Sequence, residues 1–365
     1  MNVEVLLELK IKNLDKTFTY HVPDYLKEKI KIGKRVLAPF GNQKLEGFIL
    51  KINNEEITYD LKDIIDVIDE DVILNEELLE IGKYISKKTL CTLISCYQTM
   101  LPKALKAQNK TKINKRYVTY LKLNEIPKNI KSEKQKQILD LLKDGKKLKT
   151  ECIKISPSSV KTLLQNNVIH EIKEEEYRLQ EETVLKTNKI KLSQEQQNVV
   201  DEVLKTKNKF VPYLLHGVTG SGKTEVYMTI IEDIIKSKNV IVLVPEISLT
   251  PQFIEKFQNR FGNKIAILHS ALSDGERYDE WRKIKKNKVN IVIGARSAVF
   301  APVKNLGLVI IDEEHSQTYK QENNPKYNAI DVALFRAKKN KCPIVLGSAT
   351  PSIDSYTKAK MGLYE

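Results

Sequence analysis

Over the first 70 residues, short apolar runs alternate with charged positions. VEVLLELKI (3–11), TFTYHVP (17–23), KRVLAPFG (34–41) and LEGFILKI (45–52) follow one another, separated by Gly, Pro and Asn. This rhythm predicts a small β-rich domain closing near residue 70. From Asn75 to Lys88 the spacing turns helical, with Leu78, Leu79, Ile81, Tyr84 and Ile85 on one face. CTLISCYQTMLPKAL (91–105) leads out of that helix, and the lysine- and asparagine-rich KAQNKTKINKR (106–116) reads as a linker.

Residues 133–178 form a second unit. KQKQILDLLKDG places Ile138, Leu141 and Leu142 on one helical face and ends at Gly145. Ser156 and Pro157 then read as a cap and first helical position, with Val160, Leu163 and Leu164 as the next apolar face. A strand pair, VIHEI (168–172) and EYRLQ (176–180), would complete a winged-helix pattern. Such a unit serves either as a DNA contact or as a protein-contact module.

Beyond residue 190 the texture becomes β-α alternation. YLLHGV, NVIVLVPE, KIAILH, VNIVIG, LGLVIIDEE and CPIVLGSATP are short β-branched apolar runs, each followed by polar or helical sequence. Near-continuous apolar strands joined by helices predict a parallel sheet buried on both faces.

At 365 residues the chain is long enough for two to four domains. Its formal charge of +14 comes from 61 Lys and Arg, only eight of them Arg. A basic surface built mostly of lysine suits phosphate backbones better than base-specific readout, unless the lysines are merely dispersed for solubility. The start lacks a signal-peptide pattern and no apolar run approaches the span of a bilayer, so a cytosolic protein without membrane contact is expected. Cys91, Cys96, Cys152 and Cys342 are scattered without a C-x-x-C pair, which argues against a disulfide framework or a zinc site.

Specific chemistry begins at Gly217. Gly217, Val218, Thr219, Gly220, Ser221, Gly222, Lys223 and Thr224 fit G-x-x-x-x-G-K-[ST] at every position, after an apolar strand and before a helical run. Glycines let backbone N–H groups turn inward around phosphates, Lys223 reaches the β- and γ-phosphates, and Thr224 holds Mg²⁺. About 90 residues on, Asp312, Glu313, Glu314 and His315 end an apolar strand. Asp312 is placed to bind Mg²⁺, and Glu313 to polarise an attacking water. Upstream, Gln196 in LSQEQQ can offer a paired donor and acceptor to an adenine edge, and GSATP (347–351) ends the following strand. ATP and Mg²⁺ are therefore the expected cofactors.

With VPEISLT and IVIGARSAVFAP, these segments give the ordered motifs of a superfamily 2 helicase. HGVTGSGKTEVY, LVPEISLTPQ, LHSALSDGER..W, GARSAVFAP, IDEEHSQTYKQ and GSATPS resemble more specifically the primosomal replication-restart (PriA) helicase family, and the resemblance covers nearly all of residues 3–365. It implies a multidomain fold: a β-rich 3′-DNA-binding domain over 1–105, a winged-helix domain with linker over 106–185, and a RecA-like α/β P-loop helicase lobe over 186–365. It implies ATP-driven 3′-to-5′ unwinding at stalled forks, and as partners forked DNA, single strands and 3′ ends, other primosome proteins and single-stranded-DNA-binding protein, with the chain itself a monomer. The terminal nucleotide of a nascent strand would meet Phe18, Thr19, Tyr20, Gly41 and Lys62. Thr19 stands where the family usually has an Asp, which removes a charge from that contact. Ordinary strand packing is the alternative for Phe18 and Tyr20. The aromatic-rich segment after Glu314 would sense single-stranded DNA through Tyr319, Lys320 and Tyr327, unless these are incidental to a surface loop.

The family's second lobe, with its arginine finger, and its cysteine-rich zinc-binding insertion have no counterpart up to Glu365. Zinc is accordingly not expected in this chain, and binding of nucleotide and DNA is expected to outlast turnover. A non-catalytic fork-binding module with a structural nucleotide site is the competing expectation. A related helicase acting on RNA fits less well, because DEEH and the N-terminal region point to the restart family.

Overall fold

The computed structural model describes residues 1–54, 60–107, 113–125, 132–179 and 190–365. The chain divides into two compact units, Met1–Ile113 together with Glu181–Glu365, and Asn114–Gln180. The expected boundary at 185/186 and part of the expected linker, 108–112, lie outside the described residues.

In the larger unit, β1 (Asn2–Leu7), β2 (Thr17–His21), β3 (Arg35–Phe40), β4 (Gln43–Asn53) and β5 (Asp66–Val67) form an antiparallel sheet in the order β2-β1-β4-β3-β5. The pleat sends Val3, Val5 and Leu7 into one core with Tyr20, Val36 and Ile49, and Leu6 into another. α1 (Glu76–Thr89) starts at Asn75, whose side chain accepts from the Leu78 N–H at 2.8 Å. It buries Leu78, Ile81 and Ile85, and Gly82 lets the Tyr97 ring of α2 (Leu93–Met100) lie where a Cβ would stand 2.2 Å away.

The smaller unit contains β6 (Arg116–Leu123), α3 (Glu133–Lys143), β7 (Lys147–Leu148), α4 (Lys149–Ile155), α5 (Pro157–Gln165) and β8 (Ile169–Glu176). Ser156 caps α5 and Pro157 opens it, as predicted. On α3, Leu139 is buried with Ile138 and Leu142, while Leu141 is only partly covered. The predicted strand pair is corrected. Residues 169–176 make one strand, which pairs along its whole length with β6, from Arg116↔Glu176 to Leu123↔Ile169. Its partner begins inside the lysine-rich stretch read as linker, where the Tyr117-to-Leu121 strand pattern is masked by flanking charge.

The rest of the larger unit carries α6 (Gln194–Lys205), β9 (Pro212–His216), α7 (Lys223–Ile234), β10 (Asn239–Leu243), α8 (Pro251–Phe261), β11 (Ile265–Leu268), α9 (Asp274–Lys285), β12 (Ile291–Gly294), β13 (Leu306–Ile311), α10 (Ala329–Lys339), β14 (Ile344–Ser348) and α11 (Ile353–Lys360). All six strands are parallel, in the order β11-β12-β10-β13-β14-β9. Alternate residues feed opposite cores: Val240, Val242, Leu308 and Ile310 face α7 and its neighbours, while Ile241, Leu243, Val309 and Ile311 face the α10 side. Burial of both pleat faces explains why the strands read as unbroken apolar runs. The core on the α10 side continues into Leu74, Ile81 and Tyr97, so the N-terminal helices and the parallel sheet share one hydrophobic interior. Among the described residues, no helix is long and apolar enough to cross a membrane.

Candidate functional site

The order of the sheet brings the ends of β9, β14 and β13 side by side at its carboxyl edge, where open α/β sheets bind ligands. β9 runs into Gly217, whose N–H donates to the Ser348 carbonyl at the end of β14, at 3.1 Å. Gly220 and Gly222 hold φ of +81° and +82°, a left-handed backbone suited to glycine. α7 begins directly afterwards with Gly222 at its cap, and no side chain makes a capping hydrogen bond to its N-terminus, the position where backbone N–H groups and the helix dipole favour an anion. Lys223 folds back, its Nζ donating to the carbonyls of Gly217 at 2.7 Å and Val218 at 3.4 Å. Thr224 is half-buried in the first turn, and Thr219 lies exposed on the loop. A curled loop with two left-handed glycines, a lysine at its rim and a free helix start fits a chain of phosphates.

Gln196 has a different post from the one predicted. Its Oε1 accepts from the Ser193 N–H at 2.8 Å while the Ser193 hydroxyl accepts from the Gln196 N–H, a complete capping box for α6. Its Nε2 donates to Ser221 at 2.9 Å. The amide thus steadies the phosphate loop instead of presenting a free donor and acceptor pair to a base. The Ser193-x-x-Gln196 spacing was the local signal for it.

At the end of β13, the Asp312 N–H donates to Leu243 at 2.9 Å and its Oδ1 accepts from the Tyr227 hydroxyl at 3.0 Å. Burial pushes the Asp312 carboxyl above its ordinary range and the negative charge of the neighbouring Glu313 acts in the same direction, while the Glu313 backbone hydrogen bond works against it. The Tyr227 hydroxyl and the Lys223 charge also oppose the rise. Glu313 takes a left-handed backbone, φ +47°, which turns the chain sharply off the strand. Glu314 is 3% exposed, and its carboxylate accepts from the Ser352 N–H at 2.6 Å, the Ser352 hydroxyl at 3.0 Å and the Ser355 hydroxyl at 2.9 Å. His315 Nδ1 lies 2.7 Å from the Ser348 hydroxyl. The acidic strand end is therefore fastened to the GSATPS turn, a role of Glu314, Ser352 and Ser355 that no spacing in the sequence announced.

The expected DNA contacts divide into two groups. Phe18 is half-buried, edge-on to Phe40 with ring centroids 5.1 Å apart, and Lys16 stands 5.7 Å above its ring. Gly41 follows Phe40 in an exposed turn with φ +57° and nothing within 4 Å of a built Cβ. Lys62 is exposed, its carbonyl accepting from the His21 N–H at 3.0 Å. Thr19 is half-buried, opposite Glu4 in the β1–β2 register. Tyr20, by contrast, is 4% exposed and donates to Pro39 at 3.0 Å, so it is core, as the packing alternative had it.

The aromatic-rich segment needs the same correction. Tyr319 is 1% exposed and its hydroxyl donates to the carbonyls of Asp312 at 2.6 Å and Leu243 at 3.1 Å. Tyr327 is 4% exposed, packed edge-on against Phe300 at 4.9 Å. Neither ring offers a stacking face, because the segment folds inward onto the strand ends it was read as extending from. Lys320 stays exposed, and the Arg296 guanidinium donates to its carbonyl at 2.9 Å.

Phosphate loop, acidic strand end and serine-rich turn on one parallel sheet define a P-loop nucleotide-binding lobe of helicase type. Two family models match the chain: 3′ DNA-binding domain of PriA over residues 4–102, and type III restriction enzyme, res subunit, over 189–353. The replication restart protein PriA of Bacillus subtilis (strain 168) is 38% identical over 99% of this chain and 55% of its own length. Its counterpart in Chlamydia trachomatis is 35% identical over 95% of the chain and 49% of its own length, and that of Synechocystis 44% identical over 56% and 25%. The chain is similar to PriA replication restart proteins along nearly its whole length, and spans about half the length of the curated relatives it matches.

Proposed function

We propose that this chain is the DNA-recognising and ATP-binding portion of a replication restart helicase that engages abandoned forks and translocates 3′ to 5′. The observation that carries this is the meeting of the Lys223 loop, Asp312–Glu313 and the GSATPS turn on one edge of a sheet whose core is continuous with a 3′ DNA-binding region. On nucleotide binding, Lys223 exchanges the Gly217 and Val218 carbonyls for the β- and γ-phosphates, and the N–H groups of Gly220 to Thr224 surround them. Thr224 and Asp312 would hold Mg²⁺, whose charge would offset that of the phosphate oxygens. Glu313 takes the proton of the attacking water.

On the DNA side, Phe18 with Phe40 offers an aromatic edge, Gly41 permits close approach of a strand end, and Lys16 and Lys62 meet phosphate. Thr19 contributes at most a neutral hydrogen bond there. Residues 114–180, whose described part holds three helices and a three-stranded antiparallel sheet, are read as the winged-helix unit. Other primosome proteins and single-stranded-DNA-binding protein are the partners such a portion would meet.

The test is direct. The chain should bind ATP in the presence of Mg²⁺ and bind forked DNA with a 3′ end. Lys223→Ala should weaken ATP binding at least about 10-fold without weakening fork binding. Glu313→Gln should keep ATP binding and lower any DNA-stimulated turnover by at least about 100-fold. Equal slow turnover by parent and Glu313→Gln, with equal fork binding, would instead identify a fork-binding module whose nucleotide site is structural.

A further inference from the structure

We infer that Tyr227 is the positioning residue for the Asp312 carboxylate, and that Gly347, near the end of β14, is glycine so that the Tyr227 hydroxyl can reach that carboxylate. The inference rests on the reading of this site as one for Mg²⁺ and nucleotide. Tyr227 lies one turn into α7, the helix that also presents Lys223 and Thr224, so phosphate loop and acidic strand end are joined by one side chain. Its ring is 1% exposed and its hydroxyl donates to Asp312 Oδ1 at 3.0 Å. Tyr319 secures the same residue from the other side, through the Asp312 backbone carbonyl at 2.6 Å.

The second, independent observation is steric. A Cβ built on Gly347 would stand 1.6 Å from the Tyr227 hydroxyl, 2.9 Å from the ring carbon that bears it, and 3.5 Å from Asp312 Oδ1. Gly347 has no left-handed backbone to explain its identity. Its identity follows from what passes over it. With Oδ1 held by the tyrosine, the carboxylate is kept in one defined orientation in which to meet the cation. A hydroxyl that orients a carboxylate ligand in this way acts as outer-sphere support for a metal, whose loss typically weakens metal affinity on the order of 10-fold or more.

The experiment is equilibrium dialysis of ATP against the 365-residue chain, over a series of Mg²⁺ concentrations and in EDTA. Tyr227→Phe should raise the Mg²⁺ concentration for half-maximal ATP binding on the order of 10-fold and leave binding in EDTA unchanged. Asp312→Asn should give at least that loss, and adding Tyr227→Phe to it should give no more. Gly347→Ala should shift the Mg²⁺ dependence as Tyr227→Phe does, and its melting temperature should rise when Tyr227→Phe is added, because the closest contact is then relieved. Wild-type Mg²⁺ dependence in Tyr227→Phe, or a loss equal in EDTA and Mg²⁺, overturns the inference alone. ATP binding by the parent that ignores both Mg²⁺ and Lys223→Ala overturns the nucleotide-site reading and this inference with it.

Discussion

Tyr319 and Tyr227 are both phenols buried beside the acidic strand end, and burial holds both hydroxyls well above their ordinary range, so each acts as a neutral donor at any working pH. Tyr319 is buried and tied to backbone carbonyls. Tyr319→Phe should therefore leave single-stranded DNA affinity within about twofold and lower stability by about 1–2 kcal/mol, since the Asp312 carbonyl loses a buried donor. Fluorescence anisotropy with labelled DNA and urea denaturation check the two halves; a large loss of DNA binding with intact stability would restore the stacking role. The phosphate-loop residues were legible because the motif fixes four residue types within eight consecutive positions. The inward-facing tyrosines were not, since a tyrosine beside a lysine reads equally as a stacking face or as core.

Helix starts show how far local chemistry carries. Asn75, Ser156, Ser193, Thr250, Ser273 and Ser352 each accept a backbone N–H from the first turn of the helix they precede. Ser156→Ala should cost about 1 kcal/mol, seen as faster amide exchange in α5 with exchange in the parallel-sheet strands unchanged. A loss spread over both units would contradict a local cap. Strand assignment was secure where both faces are apolar, as in β10 and β13, and failed at β8. There the partner strand begins in a charged stretch, and pairing is a property of two segments that one segment's pattern cannot contain.

At the scale of the larger unit, the join between the N-terminal helices and the parallel-sheet lobe centres on Arg336, 0% exposed on α10. Its guanidinium donates to both Glu77 oxygens, at 3.0 and 2.9 Å, and to the carbonyls of Val299 at 2.6 Å and Ala301 at 3.0 Å. Tyr84 stacks on Phe335 beside it, with centroids 4.6 Å apart. Glu77→Ala leaves a buried cation short of its counter-ion, so a loss of about 3 kcal/mol is expected. Differential scanning calorimetry should show the N-terminal region melting ahead of the lobe; an unchanged single transition would mean the shared core alone holds them.

The parallel-sheet lobe, its phosphate loop, the acidic strand end and the β-rich start could be read along the chain, because each is a contiguous pattern whose chemistry or periodicity is local. Tertiary structure alone decided that Gln196 braces the loop, that Glu314 fastens the serine turn, that Tyr227 reaches Asp312 85 positions away, and that Arg336 meets Glu77 across 259. Those contacts depend on which strand ends lie adjacent in the sheet and on where a glycine leaves room, and neither is written in the order of neighbouring residues.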